Sequence, residues 1–362
     1  MVGGHRGWSG RRICPGHRTS LCKTTSQNLR QVVVSDSYDV AICGYYGMGN
    51  LGDELLLCSV IDRLQNLGIS RSRIVVFSGN PNESARNFGV AAVSRWSPSS
   101  VWRGLRRSRT CLFGGGGLFQ DVTSLRSVLY YGGIVVMAVM AGCRPWVFGN
   151  SLGPFRTRTG WWLTRLALNL CVSVVLRDRP SMEEAQSMGI SAQNCPDLVT
   201  ALNVSSGSGD VVLVNLRPWD GQLERQAARW MAEYLQRSGC PSIAVAMCPG
   251  DGELLHSLIR NGDLPRMPIC FPKGGDDPVW SQGRIALGMR LHFCVLSSLA
   301  GLPGVAIPYD PKVSAFARSV GYEIWKDGKL LEPSGPDLEW LSRCRTEIDY
   351  CFRRSWQEVV ES

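Results

Sequence analysis

Twice along the chain, a short and continuous run of apolar residues gives way to a glycine- or proline-marked turn and then to a helical segment, and the cycle repeats. Strands that are apolar throughout, rather than alternately apolar and polar, suit a parallel sheet covered on both faces, because neither face meets water. The first series predicts strands at residues 39–43, 73–78, 110–113, 145–148 and 173–177. Helices follow at 53–67, 124–141, 161–171 and 181–188. A polar stretch, Ser205-Ser206-Gly207-Ser208-Gly209, interrupts the pattern. It restarts with strands at 210–216, 242–247 and 304–307, and helices at 222–239, 253–261, 292–300, 312–320 and 337–361. The expected fold is α/β, with two Rossmann-like domains facing across a cleft. Residues 1–37 read as a disordered basic tail, 38–204 as the N-terminal domain, 205–345 as the C-terminal domain and 346–362 as a C-terminal helix. Open sheets of this type bind ligands outside their strand C-termini.

A chain of 362 residues is long enough for two cores. Its net charge of +9 suits a nucleic acid, an anionic membrane face or an anionic substrate. Part of that charge sits in the tail, where six Lys and Arg oppose Asp36 alone, and no nucleic-acid recognition motif is evident. The fourteen cysteines are irregularly spaced, with no CxxC and no Cys/His ligand cluster. Zinc is not expected, and the thiols read as buried and reduced, as in a cytoplasm. Residues 127–143 are uncharged but too few to span a bilayer, and they contain Gly132 and Gly133. A secretory signal is not visible.

Three motifs carry candidate chemistry. Residues 44–54, GYYGMGNLGDE, join a strand to a helix start, where backbone N–H groups and the helix dipole favour an anion. The spacing is neither GxGxxG nor GxxxxGK[ST]. Asn50 and Asp53 add polar groups that a bare turn does not need; Asp53 reads either as a helix cap or as a group that bonds a sugar hydroxyl. Residues 113–126, FGGGGLFQDVTSLR, place Gly115 and Gly116 for close approach of a ligand or backbone, with Gln120 and Asp121 as hydrogen-bonding groups beyond. Residues 288–292, GMRLH, put Arg290 and His292 at a strand end and helix start. Arginine binds carboxylate or phosphate bidentately, and histidine moves protons near neutral pH. Arg177 and Arg217 also follow predicted strands, while Asp197 and Tyr309-Asp310-Pro311-Lys312 are single candidates. Arg103, Arg106, Arg107 and Arg109, near Trp96 and Trp102, read either as a solvated helix face or as a patch docking on an anionic membrane.

These motifs, together with GNSLGPF, VVLRDRPSMEEAQSMGI, NLRPW and GMRLHFCVLSSLAGLPGVAIPYDPKV in that order, resemble the polysaccharide pyruvyl transferase family. They are most similar to its CsaB branch, which modifies a secondary cell-wall polysaccharide that anchors surface-layer proteins. The resemblance runs from about Tyr38 to Glu361. It implies a GT-B-like fold, phosphoenolpyruvate as donor substrate with no cofactor or metal, and a lipid-linked saccharide acceptor, commonly N-acetylmannosamine. The implied product is a 4,6-linked pyruvate ketal. Arg290 and His292 match the family's donor-site motif. The expected roles are His292, Asp53 and Asp121 in catalysis; Arg290, His292, Arg217 and Arg177 at the donor; and Asn50, Asp53, Gly115, Gly116, Gln120 and Asp121 at the acceptor. The expected location is the cytoplasm, at the inner membrane face. The rival readings are a GT-B glycosyltransferase using a nucleotide sugar, a nucleic-acid binder, and a non-catalytic sugar-binding homologue.

Overall fold

A computed structural model describes residues 37–361 except 123, 327, 328 and 330. The expected tail therefore lies, but for Ser37, outside the described residues. The first half runs β1 (Tyr38–Cys43), α1 (Leu51–Asn66), β2 (Ile74–Ser78), α2 (Pro81–Phe88), β3 (Ala91–Ser94), α3 (Pro98–Arg106) and β4 (Ser108–Phe119). It continues with α4 (Leu125–Met140), β5 (Arg144–Leu152), α5 (Arg158–Asn169), β6 (Val174–Leu176), α6 (Arg179–Ser187) and β7 (Gln193–Asn194). A 3-10 turn, Leu198–Ala201, leads into the second half. There β8 (Val211–Asn215), α7 (Leu223–Ser238), β9 (Ser242–Val245), α8 (Pro249–Asn261), β10 (Ile269–Cys270) and α9 (Pro278–Gln282) come first. Then follow β11 (Gly283–Gly288), α10 (Leu291–Leu299), β12 (Gly304–Ala306), α11 (Pro311–Val320), β13 (Glu323–Ile324) and α12 (Leu338–Glu361).

Each half is one parallel sheet, ordered β3-β2-β1-β4-β5-β6-β7 and β10-β9-β8-β11-β12-β13. The strands are buried on both faces, as in β2, where all five residues are covered. In each sheet the chain winds outward from its first strand and then crosses back to that strand's other side. The two switch points, β1/β4 and β8/β11, leave crevices at the strand C-termini. On one face of the first sheet lie α3, α4, α5 and α6, sharing a core built on Val101, Tyr131, Ile134, Ala167 and Ala185. On the other face, α1 and α2 pack with α12.

Three expectations about local structure are corrected. Residues 114–117 and 149–152, expected as glycine turns, are not turns: β4 and β5 run through them, paired as far as Phe119 with Leu152. Gly115 and Gly116 take positive φ, at 66° and 81°, and a Cβ on Gly115 would come within 2.8 Å of Leu56 in α1. The glycines thus bend the strand beneath a helix instead of ending it. The helix expected from residue 253 starts at Pro249, which is suited to a first helical position because it lacks an N–H. And α1 starts at Leu51 with Asn50 as its cap, which puts Asp53 inside the first turn.

The last helix, Leu338–Glu361, falls where a helix was expected over 337–361, and it crosses from one half to the other. Near its start Trp340 packs on Phe316 of α11, with ring centroids 6.0 Å apart. Further on, Phe352 meets Trp146 and Phe148 of β5 at 5.5 and 4.9 Å. Arg63 of α1, almost fully buried, reaches Asp349 at 3.0 Å, and Arg144 donates to the carbonyls of Val359 and Val360. Phe352→Ala is expected to cost about 3–5 kcal/mol, the usual range for emptying an aromatic core site, read as a lower urea midpoint by tryptophan fluorescence.

Candidate active site

The chain leaves β1 at Cys43 and turns through 44–50 into α1. Asn50 Oδ1 accepts the Gly52 N–H at 3.2 Å, and its Nδ2 donates to Asp53 Oδ2 at 2.7 Å. One side chain therefore caps the helix and fixes the carboxylate. Glu54 Oε1 accepts the Gly47 N–H at 2.7 Å and holds the loop closed. Across the switch point, Gly116 presents bare backbone: a Cβ there would be 3.4 Å from Asp53 Oδ1. Burial raises the Asp53 pKa to about 6, although His292, Arg177, Arg290 and Lys312 all pull it down. Glu54 rises to about 7, through burial and its neighbour Asp53.

The facing wall comes from the second switch point. Asn215, at the end of β8, accepts the Arg290 N–H at 2.9 Å and donates to Val245 O of β9, which locks three strand ends together. His292 lies in the first turn of α10, and its ring rests on the first turn of α1: a Cβ on Gly52 would be 2.1 Å from Nδ1. On the other side of the ring, Nε2 is buried without a hydrogen bond and faces Asp197 Oδ2 at 3.6 Å, an ion-pair distance. Arg177 grips Asp197 at 2.8 Å and takes Ser151 Oγ at 2.7 Å. Against its burial, Arg177 and then His292 hold the Asp197 carboxyl well below the usual range. The Leu51 N–H donates to Met247 O at 2.9 Å, so the two halves are hydrogen-bonded beside this centre.

Three cations leave the neighbouring strands β8, β11 and β12. Arg290 is held in a fork by Asp251, Nε and Nη2 each 2.6 Å from a carboxylate oxygen. Asp251 is fully buried and also accepts the Met247 N–H. Arg217 donates to Tyr309 Oη at 2.9 Å, with its guanidinium 4.5 Å from that ring's centroid. Lys312, in the first turn of α11, lies 3.2 Å from Asp310.

The structure thus brings Asn50, Asp53, Gly116, His292 and Arg177 together, with Arg290 and Arg217 on the second domain's side of the crevice. It places others elsewhere. Asp121 accepts hydrogen bonds from the N–H groups of Arg156 and Thr157 and from the Thr157 hydroxyl, so it fastens the start of α5. Gln120 Oε1 takes the Val122 N–H, and Gly115 packs on Leu56. Sequence reasoning missed Asp251, whose signal was Pro249 at a helix start. Among the described residues no cluster of three or more His, Cys, Asp or Glu could hold a metal ion.

Two doubly wound domains whose helix N-termini converge on one crevice define a two-domain, GT-B-like fold. Solved structures agree. UDP-GlcNAc 2-epimerase from Methanocaldococcus jannaschii is similar with a TM-score of 0.57 at 10% identity, over 87% of this chain and 98% of that one. A glycosyltransferase from Rickettsia africae is similar with a TM-score of 0.52 at 9% identity, over 90% and 94%. At such identities the likeness concerns the fold alone. The family model for polysaccharide pyruvyl transferase matches residues 50–237, and the chain belongs to that family. No curated protein matches the sequence.

Asp53 also makes a stability prediction. Its folded pKa lies above the ordinary 3.8, so the folded state holds the extra proton between the two values, and stability falls as pH rises through that window. Asp53→Asn removes a buried charge and is expected to stabilise the protein by about 1–3 kcal/mol near neutral pH, with no gain at about pH 4. Urea midpoints at the two pH values measure this; an unchanged midpoint at neutral pH contradicts it.

Proposed function

We propose that the protein transfers the pyruvyl group of phosphoenolpyruvate to two hydroxyls of a cell-wall saccharide, releasing phosphate. The observation that carries this reading is the meeting of Asp53 and His292 across the crevice, beside cations at three adjacent strand ends. Family membership supports a saccharide as acceptor. The CsaB-like motifs support a lipid-linked N-acetylmannosamine unit and a 4,6-ketal.

Phosphoenolpyruvate carries a carboxylate and a phosphate. Arg217, Lys312 and the outer edge of Arg290 would bind them, helped by the N-termini of α10 and α11. The fork to Asp251 fixes Arg290 in place before the donor arrives, so little order is lost on binding. Asp53 is the base for the attacking hydroxyl. His292 is the proton donor to the methylene carbon, with Asp197 and Arg177 orienting its ring as the third member of a catalytic triad orients its histidine. The first sugar oxygen bonds to C2, the bond from C2 to the phosphate oxygen breaks, and the second sugar oxygen closes the ketal. Of the two hydroxyl protons, one ends on the new methyl group and the other leaves with phosphate.

The test is incubation of the purified protein with phosphoenolpyruvate and a lipid-linked N-acetylmannosamine acceptor. Expected are stoichiometric inorganic phosphate and an acid-labile mass gain on the sugar. The rate should rise with pH through about 6 as Asp53 ionises. Asp53→Asn and His292→Ala should each lose about 10²–10⁴-fold in rate. Thermal stabilisation by nucleotide sugars but not by phosphoenolpyruvate, with no phosphate released, would overturn the reading in favour of a glycosyltransferase.

A further inference from the structure

Among the described residues fifteen large apolar side chains are exposed, and eight of them lie between Leu129 and Val172. They are ordered. Along α4, Arg126, Leu129, Gly133, Val136 and Met140 follow one another at helical spacing, all exposed. Along α5, Arg158, Trp162, Leu166 and Leu170 do the same. The two helices pack side by side on one face of the first sheet, with Gly132 against Ala167. Their outward stripes therefore form one surface, in which Met140 is 69%, Leu166 58% and Trp162 51% exposed. Next to α4 on the same face, α3 adds exposed Arg103 and Arg106. A monomer rarely leaves so contiguous an apolar surface uncovered without using it.

Charge identifies the occupant. From residue 84 to residue 177 the chain has twelve arginines, no lysine and a single acid. That acid is Asp121, whose oxygens are taken up at the start of α5. We propose that the outer face of α3, α4 and α5 is a docking surface for an anionic lipid bilayer. The apolar stripes would enter the boundary between headgroups and acyl chains, and the arginines would meet the headgroups. Trp162, with Arg165 5.0 Å from its ring centroid, is the kind of side chain that favours this boundary. A second copy of the chain is a poor occupant, because two such faces carry the same sign of charge. The segment 1–36 is a poor one too, being itself basic. No helix among the described residues is long and apolar enough to cross a membrane, so the contact is superficial.

Placement gives the surface its use, a use that rests on the transferase reading. Helix α4 follows β4, whose Gly116 faces Asp53, so the N-terminal end of the docking face, with Arg126, lies at the strand edge that carries the crevice. A saccharide on a lipid anchor would rise from the bilayer beside the base.

The experiment is sedimentation of the purified chain with vesicles of phosphatidylglycerol and phosphatidylcholine, and with phosphatidylcholine alone. Binding to the anionic vesicles is expected. The double variant Arg103→Glu/Arg106→Glu should weaken it about 20-fold or more, and Met140→Ser/Leu166→Ser should weaken it comparably, both with unchanged circular dichroism melts. Both variants should retain pyruvyl transfer to a water-soluble acceptor. The vesicle assay contains no sugar, so it can fail while the transferase reading stands, and the reverse. No partition of the parent chain, or equal partition of both variants, overturns the proposal. A dimer in light scattering that Met140→Ser/Leu166→Ser disperses also overturns it, in favour of a second copy.

Discussion

The N-termini of α1 and α10 point into the same crevice, and the ring of His292 lies directly on the backbone of Gly52. Everything else about the centre depends on that approach. Two helix N-termini make the crevice electropositive, which suits an anionic ligand but is costly when left unbalanced. Asp53, Asp197 and Asp251 offset it, and each is tied to the wall on which it acts. Asp197 holds Arg177 and faces the far side of the His292 ring. Asp251 holds Arg290 from beneath. Asp53 has no such dedicated cation, and its raised pKa follows from that difference.

This division of labour separates positioning from chemistry. A carboxylate paired with an arginine and a histidine does not take up a proton easily, as the depressed Asp197 shows. The acid with the weakest compensation is the one near its titration point, which is what a base working near neutral pH requires. The crevice also joins distant parts of the chain. The 3-10 turn after Asp197 packs against α1, α10 and α12, and α12 returns from the second half to the core of the first. The base, the histidine and the group orienting the histidine thus sit on elements that brace one another.

The α/β alternation was readable because parallel strands buried on both faces must be apolar throughout, and those runs stand out between turns. The short edge strand β3 and the polar helix α2 lacked that contrast and were not recognised, and α3 was read only as a possible solvated helix face. Glycine misled in one respect. In β4 and β5 it marks where a paired strand bends beneath a helix, which depends on pairing that no local pattern displays. At the site, Asn50, Asp53, Arg290 and His292 were readable as motif residues and Arg177 and Asp197 as single candidates, whereas the partner of Arg290 was not. Asp251 lies 39 positions from the arginine it holds, and Asp121 seemed a site residue because its three donors follow much later in the chain. The scarcity of acids in the α3–α5 region, Asp121 alone, was also present in the sequence. The whole-chain charge of +9 concealed it, since the second half supplies most of the acids.

The central claim is that His292, seated on Gly52, works with Asp53 across the crevice. Gly52→Ala tests it most directly, because alanine suits a helix and alters no charge, yet its methyl group would occupy the place of the imidazole. The account predicts a folded protein with an unchanged circular dichroism spectrum and a kcat for phosphate release from phosphoenolpyruvate at least about 100-fold lower, the scale of losing one acid–base group. A Gly52→Ala variant that keeps the parent kcat would contradict it.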